Sequence, residues 1–280
     1  MIKDSRDNKD TANLLNAYME SGFTVARIFE KADLDEFAAT FQGLLEMQMR
    51  KLNLPATSDL QKDVVALNMR SSVALSECLV MARNTSAGHR LAANRNLDSI
   101  SNLLLSGGSG RVKRPLIISG PSFFVNIPDN NERKYTWHSE QNWYPKRRNF
   151  LNVWCPIISD RVNDDSMAVM AASHDKEWFY FSEYTGYDGK IDDSANVQYE
   201  IPAAFLNAYK SEIPPVEAGE GLFFNGKIVH RSLDNVSKNT LFTIVFRAFD
   251  YSEDLTLSSN WADIPYNRKS ISVPEINVAP

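Results

Sequence analysis

Lys134-Tyr-Thr-Trp-His-Ser-Glu-Gln-Asn-Trp-Tyr-Pro145 is the stretch from which this chain is best read. It carries His138 and Glu140 at positions i and i+2. Alternate side chains of an extended strand share a face, so the spacing predicts a strand from which both groups reach one ion. A lone His230 follows about ninety residues on. Two imidazoles and a carboxylate on one side of a metal leave the opposite positions open, a ligand set that suits non-haem Fe(II). One His-x-Glu pair carries little by itself in a chain with four histidines and 35 acidic residues. A histidine among aromatics is more often a hydrogen-bonded packing residue, so the surroundings decide.

Outward from that stretch the chain has two textures. Residues 1–10 are polar and are expected to fray. From Thr11 to about Leu105 the pattern is helical: Leu34, Phe37, Phe41, Leu44 and Leu45 recur at helical spacing, with Asp33 a candidate N-cap. The stretches 59–81 and 91–105 read the same way until Gly107, Gly108 and Gly110 interrupt. After Arg114 short apolar runs alternate with turn residues: Pro115–Gly120, Ser122–Ile127, Phe150–Cys155, Met167–Ala171, Gly221–Phe224 and Thr240–Phe246. These are strand-like. Several are apolar on both parities, which predicts cover on both faces, by an opposing sheet and by the amino-terminal helices. The expectation is an α+β chain with a sandwich or barrel of strands. Its boundaries are a tail at 1–10 and a single domain at 11–280, comprising a helical part (11–114), a strand core (115–250) and a carboxy-terminal extension (251–280).

Composition removes some classes of function. A net charge of −5 and a pI near 5.5 argue against a nucleic-acid partner. No apolar run approaches the roughly 20 residues that cross a bilayer, and Met1–Asp10 has no apolar signal core. Cys78 and Cys155 sit in apolar surroundings and read as buried free thiols, with the cytoplasm as the expected compartment.

From His138 to Arg247 the sequence resembles the phytanoyl-CoA dioxygenase-like branch of the Fe(II)/2-oxoglutarate oxygenases. The His-x-Glu pair is followed by Trp154-Cys155-Pro156-Ile157, where that family has a Trp-bearing strand. Next come Ala171-Ala-Ser-His174, in the place of a Pro-Gly-Ser-His segment, and a glycine turn before an aromatic strand. The ungapped pattern His230-x-Ser232-x-x-Asn235-x-Ser237 closes the set. The resemblance implies a double-stranded β-helix, a cupin-like jelly roll with amino-terminal helices on one sheet. It also implies Fe(II) on His138, Glu140 and His230, with 2-oxoglutarate and dioxygen as cosubstrates. Trp154 and Ser232 then line the cosubstrate pocket. His89 and His174 have no acid two residues on and read as structural.

One departure bears on the cosubstrate. The family places an arginine eleven residues after the distal histidine; here Leu241 stands there, with Arg247 six residues further on. Six strand residues span roughly 20 Å, so Arg247 does not simply substitute unless the register shifts; it reads as a retained structural or rim residue, or as a cosubstrate-binding one. Other cations near the motif are Lys146, Arg147, Arg148 and Arg231, and Tyr135, Trp143 and Tyr144 are candidate substrate walls or core. The segment 181–198, rich in Gly, Asp and Tyr, reads as a lid in which Tyr184 or Tyr187 meets the substrate, or as a surface excursion. The implied activity is hydroxylation of a small or medium-sized metabolite at an unactivated C–H bond. The alternatives are an iron oxygenase of this fold that does not use 2-oxoglutarate, and a non-catalytic binding protein.

Overall fold

The computed structural model describes residues 5–108, 116–128, 135–144, 149–158, 167–178, 182–186 and 197–250. The expected extension at 251–280, the basic run 146–148 and most of the expected lid lie outside them. Helix α1 (Ser5–Ser21) is the first element of the described residues. Gly22, at φ +83°, then turns the chain into strand β1 (Phe23–Arg27). The reading of 11–105 as wholly helical missed this strand. Phe23-Thr-Val-Ala-Arg is only five residues long and lies between two helices, so helical spacing hides it.

Helix α2 (Lys31–Lys51) buries Leu34, Phe37, Phe41 and Leu45 of the stripe that the spacing foretold; Leu44 is half-buried, and Met49 extends the buried side. Its N-cap is Glu30, not Asp33; Asp33 is three residues in, where its carboxylate accepts the Glu30 N–H at 3.3 Å. The stretch 59–81 is two helices, α3 (Leu60–Arg70) and α4 (Ser72–Arg83). Ser71 is extended between them, and its hydroxyl accepts the Ala74 N–H at 3.1 Å, capping a new helix instead of continuing the old one. Helices α5 (Ser86–Ala92) and α6 (Arg95–Leu105) follow, and Gly107 and Gly108 end the helical half at φ +60° and +68°.

Strands β2 (Leu116–Asn126), β3 (Phe150–Ile158), β4 (Met167–Met170), β5 (Glu183–Gly186) and β6 (Val197–Glu200) come next. A short helix α7 (Ala203–Leu206) precedes β7 (Ser211–Glu212), β8 (Glu220–Asn225), β9 (His230–Ser232) and β10 (Leu241–Asp250). Five strands pair antiparallel in the order β1-β8-β3-β10-β2. A second sheet has the order β7-β4-β9, and β5 and β6 form a hairpin.

Two apolar layers flank the large sheet. On one face Phe123, Val125, Leu151, Val153, Cys155, Phe223, Phe242, Ile244 and Phe246 join the buried sides of α2, α4 and α6 in one cluster. Phe37 and Phe41 meet Phe123 edge to face, at 5.1 and 4.8 Å between ring centroids; such pairs contribute about 0.5–1.5 kcal/mol beyond the area they bury. On the other face Trp154, Leu222, Phe224 and Val245 pack on Met167 and Val169 of the small sheet. Alternation along each strand therefore splits β10 cleanly: even-numbered Phe242–Ala248 face the helices, and odd-numbered residues face the space between the sheets. The start of β10 is clamped from the helical side. The Gln61 amide donates to the Thr240 carbonyl at 3.1 Å and accepts the Thr240 N–H at 2.6 Å. Cys78 and Cys155 are buried free thiols, as expected. Among the described residues no helix is long and apolar enough to cross a membrane.

Candidate metal centre

His138 and His230 face each other across an isolated antiparallel bridge and exchange both backbone hydrogen bonds, at 3.0 and 2.9 Å. Residues directly opposite in such a pair point to the same side, and their rings lie 4.2 Å apart. Glu140 reaches them from a different element than the sequence suggested. It is not on a strand; it begins a 3-10 turn, Glu140–Asn142, capped by Ser139. The backbone is extended only as far as the bridge at His138 and then curls, and the curl brings the carboxylate Oε1 to 3.9 Å from His230 Nε2. One ligand atom from each residue lies within 4.8 Å of the others, and all three residues are buried. Among the described residues this is the one group of its kind; His89 and His174 are outside it.

The loop is held at several points. Ser139 donates its hydroxyl to the Gly226 carbonyl at 3.1 Å, in the turn between β8 and β9. A side chain at Gly226 would run into the Phe150 ring, so this approach requires glycine. Gln141 accepts the Trp178 N–H at 3.0 Å and donates to Glu177, which in turn pairs with Lys227. Ser173 accepts the Val229 N–H at 2.9 Å, fixing the residue before His230. The rings of Tyr135 and Trp143 pack on His138 at 5.3 and 5.2 Å, and Phe224 packs on His230 at 4.6 Å.

Protonation states follow from these contacts. A backbone carbonyl only accepts, so His138 Nδ1, 2.6 Å from Thr136 O, and His230 Nδ1, 3.0 Å from Ile228 O, each carry the ring proton. Each Nε2 is then a free lone pair turned toward the cluster, the arrangement in which metal-bound histidines are held. Burial lowers both histidines, His230 to about 3, with the neighbouring His138 adding to the effect there. Burial pushes the Glu140 carboxyl up, but Arg247, with His230 and His138 adding to it, more than offsets this and brings it to about 2. The donor set is two neutral imidazoles and one carboxylate anion, ready for a divalent cation without loss of a proton.

Arg247 Nε donates to Glu140 Oε2 at 3.0 Å and its Nη2 to Oε1 at 3.3 Å. Its guanidinium also lies over the Tyr144 ring, 5.7 Å from the centroid. Tyr144 packs on Phe150 and Phe249 as well, so its surroundings are core. Sequence reading missed the partner of Arg247, because that partner sits on a turn 107 positions away in the chain. Leu241 is buried at the start of β10, opposite Asn126. Trp154 is also buried, paired with Val245 and Leu222 one step along the ladder from Arg247. Ser232 shares its strand face with His230, and its N–H donates to Tyr135 O at 3.1 Å. Asn235 and Ser237 tie up the turn before β10: the Asn235 amide donates to Asn126 O at 2.7 Å and to Asn239 O at 2.8 Å, and accepts the Ser237 hydroxyl at 2.6 Å. Arg231 lies over Trp137, 4.7 Å from the ring centroid. Of the expected lid, 182–186 and 197–198 belong to the β5–β6 hairpin region, and its remaining residues, Tyr187 among them, lie outside the described residues. Tyr199 of β6 meets Trp143 edge-on at 5.9 Å, so the hairpin leads toward His138 through two rings.

No protein-family model and no curated protein matches the sequence. Solved structures do match the fold. SnoN, an epimerase of nogalamycin biosynthesis solved with Fe3+, α-ketoglutarate and nogalamycin RO, is 12% identical at a TM-score of 0.56, with 87% of this chain and 85% of that one covered. SnoK, an α-ketoglutarate-dependent carbocyclase from the same biosynthesis, is 14% identical at 0.55, covering 88% and 89%. EctD from S. alaskensis, solved with 2-oxoglutarate and 5-hydroxyectoine, is 15% identical at 0.52, covering 89% and 77%. The chain shares the fold of non-haem, 2-oxoglutarate-dependent enzymes that bind small molecules. It also carries a His-Glu-His cluster of the composition that non-haem iron takes.

Proposed function

We propose that this chain is a mononuclear non-haem Fe(II)/2-oxoglutarate-dependent dioxygenase of the phytanoyl-CoA dioxygenase-like kind. In this reading residues 11–280 form one jelly-roll domain, and the reaction hydroxylates a small or medium-sized metabolite at an unactivated C–H bond. The observation that carries it is the state of the triad: His138 and His230 present lone pairs fixed by backbone carbonyls, beside a Glu140 carboxylate held ionised. These three residues would hold the iron, leaving open positions for a keto acid and dioxygen. The metal and cosubstrate supply the oxidation; the protein orients the substrate and excludes water. Trp154 and Ser232 are proposed beside the cosubstrate, and Arg247 as the cation nearest to it.

The test is direct. Anaerobic protein given Fe(II) and then 2-oxoglutarate should develop the visible metal-to-ligand charge-transfer band, and the His138→Ala and Glu140→Ala variants should not. With substrate, succinate should form and one atom of labelled dioxygen should enter the product. Succinate formation at the wild-type rate in either variant would refute the ligand assignment. Leu241 favours a second reading, an iron oxygenase of this fold that takes no 2-oxoglutarate. Metal binding without the band at saturating 2-oxoglutarate would select it.

A further inference from the structure

Asn152 is 1% exposed, and among the described residues neither its amide nitrogen nor its amide oxygen has a hydrogen-bond partner. A buried amide is almost always paired, so one that is empty on both atoms calls for a physical explanation. Its position supplies one. In the ladder Asn152 stands directly opposite Arg247 on one side and Phe224 on the other. Paired residues share a face, so Asn152 points into the space between the sheets in the same row as the arginine that grips Glu140 and the ring that packs on His230. It interrupts Phe150–Ile158, a strand otherwise apolar but for that amide.

The same row has donors to spare. Arg247 presents five N–H groups, and its hydrogen bonds among the described residues go to Glu140 through Nε and Nη2. Its side chain is 17% exposed. The next row along the strands is Val245, Trp154 and Leu222, an apolar cluster, and beyond it stands Leu241, where the resemblance leads one to expect a cation.

We infer that Asn152 and Arg247 form a carboxylate seat directly beside the triad. The Asn152 amide N–H2 and the unused Arg247 N–H groups together receive a carboxylate of a 2-oxo acid. This seat does the anchoring that Leu241 cannot do, and it rests on the cosubstrate reading above.

The experiment uses the full chain loaded with Mn(II) under argon. Mn(II) affinity is read by electron paramagnetic resonance, 2-oxoglutarate affinity by calorimetry, and thermal stability on the metal-free protein. Asn152→Leu is expected to weaken 2-oxoglutarate at least fivefold, with Mn(II) affinity within twofold of wild type and no fall in Tm. An amide that only fills a slot or holds a water would leave 2-oxoglutarate affinity within twofold, and that result overturns the seat. Asn152→Asp keeps the shape and sets a negative charge where the carboxylate should lie; it is expected to weaken 2-oxoglutarate more than Asn152→Leu. If the leucine variant does not fold, the aspartate variant decides, and wild-type affinity in it overturns the inference. Wild-type protein that binds Mn(II) but no 2-oxoglutarate overturns the cosubstrate reading itself, a result separate from either variant's.

Discussion

Arg247 grips Glu140 with two hydrogen bonds, at 3.0 and 3.3 Å, where the arginine side chain is 17% and the glutamate side chain 7% exposed. A charge pair so far withdrawn from water is costly to break from one side, because the remaining charge keeps its burial penalty. Glu140→Ala is therefore expected to destabilise the metal-free protein by about 3 kcal/mol, besides abolishing metal binding. Adding Arg247→Leu should restore most of that loss. Urea unfolding of the single and double variants checks it; a double variant no more stable than Glu140→Ala would remove the pair from the account.

Both histidines are held neutral by burial, and this sets a pH dependence. In the unfolded chain they take up protons near pH 6.5, but folded His230 resists until about 3. The metal-free fold should thus be fully stable above about pH 6.5 and lose up to about 1.4 kcal/mol per pH unit per histidine as the pH falls below it. His230→Gln should flatten that slope. Equal slopes in the two proteins between pH 6 and 4 would contradict the neutral assignment.

The same states bear on metal uptake. With no proton to displace, Mn(II) binding is expected to be nearly independent of pH from 8 to 5.5 and to release almost no protons. Calorimetry in buffers of different ionisation enthalpy measures the release. A whole proton per metal would mean that one imidazole is protonated in the free protein.

Ser139 ties the turn that bears Glu140 to the β8–β9 turn through Gly226 O. Removing its hydroxyl leaves a buried carbonyl with one partner fewer, for about 1 kcal/mol. If that cost falls on the metal-ready geometry, Ser139→Ala weakens Mn(II) about fivefold, since 1.4 kcal/mol is tenfold. Unchanged Mn(II) affinity would confine the bond to stability alone.

In the helical half, Asp63 is fully buried and accepts from Thr57 N at 2.9 Å, the Thr57 hydroxyl at 2.7 Å and Gln42 at 2.8 Å. Burial opposes its ionisation, but these donors prevail and its pKa is lowered. Asp63→Ala strands them, and about 2–3 kcal/mol should be lost at pH 7. The loss should shrink as pH falls below about 4, where the unfolded wild-type chain takes up a proton that the folded carboxylate resists. A loss that stays constant down to pH 3 would argue against an ionised Asp63.

What the sequence made legible follows from which interactions are local. Helix α2 was readable because Leu34, Phe37 and Phe41 announce one face within a few turns. The strand runs were readable for the same reason, and His138 and His230 stood out by their neighbours. The break at Ser71, the curl at Glu140 and the five-residue β1 were not, because each is decided by a cap, a turn or a pairing partner far away. Arg247 shows the limit most clearly. Only the ladder register sets it across from Asn152 and beside Glu140. Asn152 did leave a trace, as a polar residue inside an apolar run, and no reading of periodicity assigns such a residue a task.

Strand β1 has a consequence for how the two halves depend on each other. It caps the outer side of β8, from Phe23 opposite Phe224 to Arg27 opposite Glu220. Without it, Glu220–Asn225 would offer a row of unpaired backbone groups bearing Leu222, Phe223 and Phe224, a template for another chain to add to. The amino-terminal segment therefore acts as the sheet's selvedge as well as its helical backing. Removing residues up to Arg27 should make the protein self-associate through β8, even with every residue of the metal centre intact.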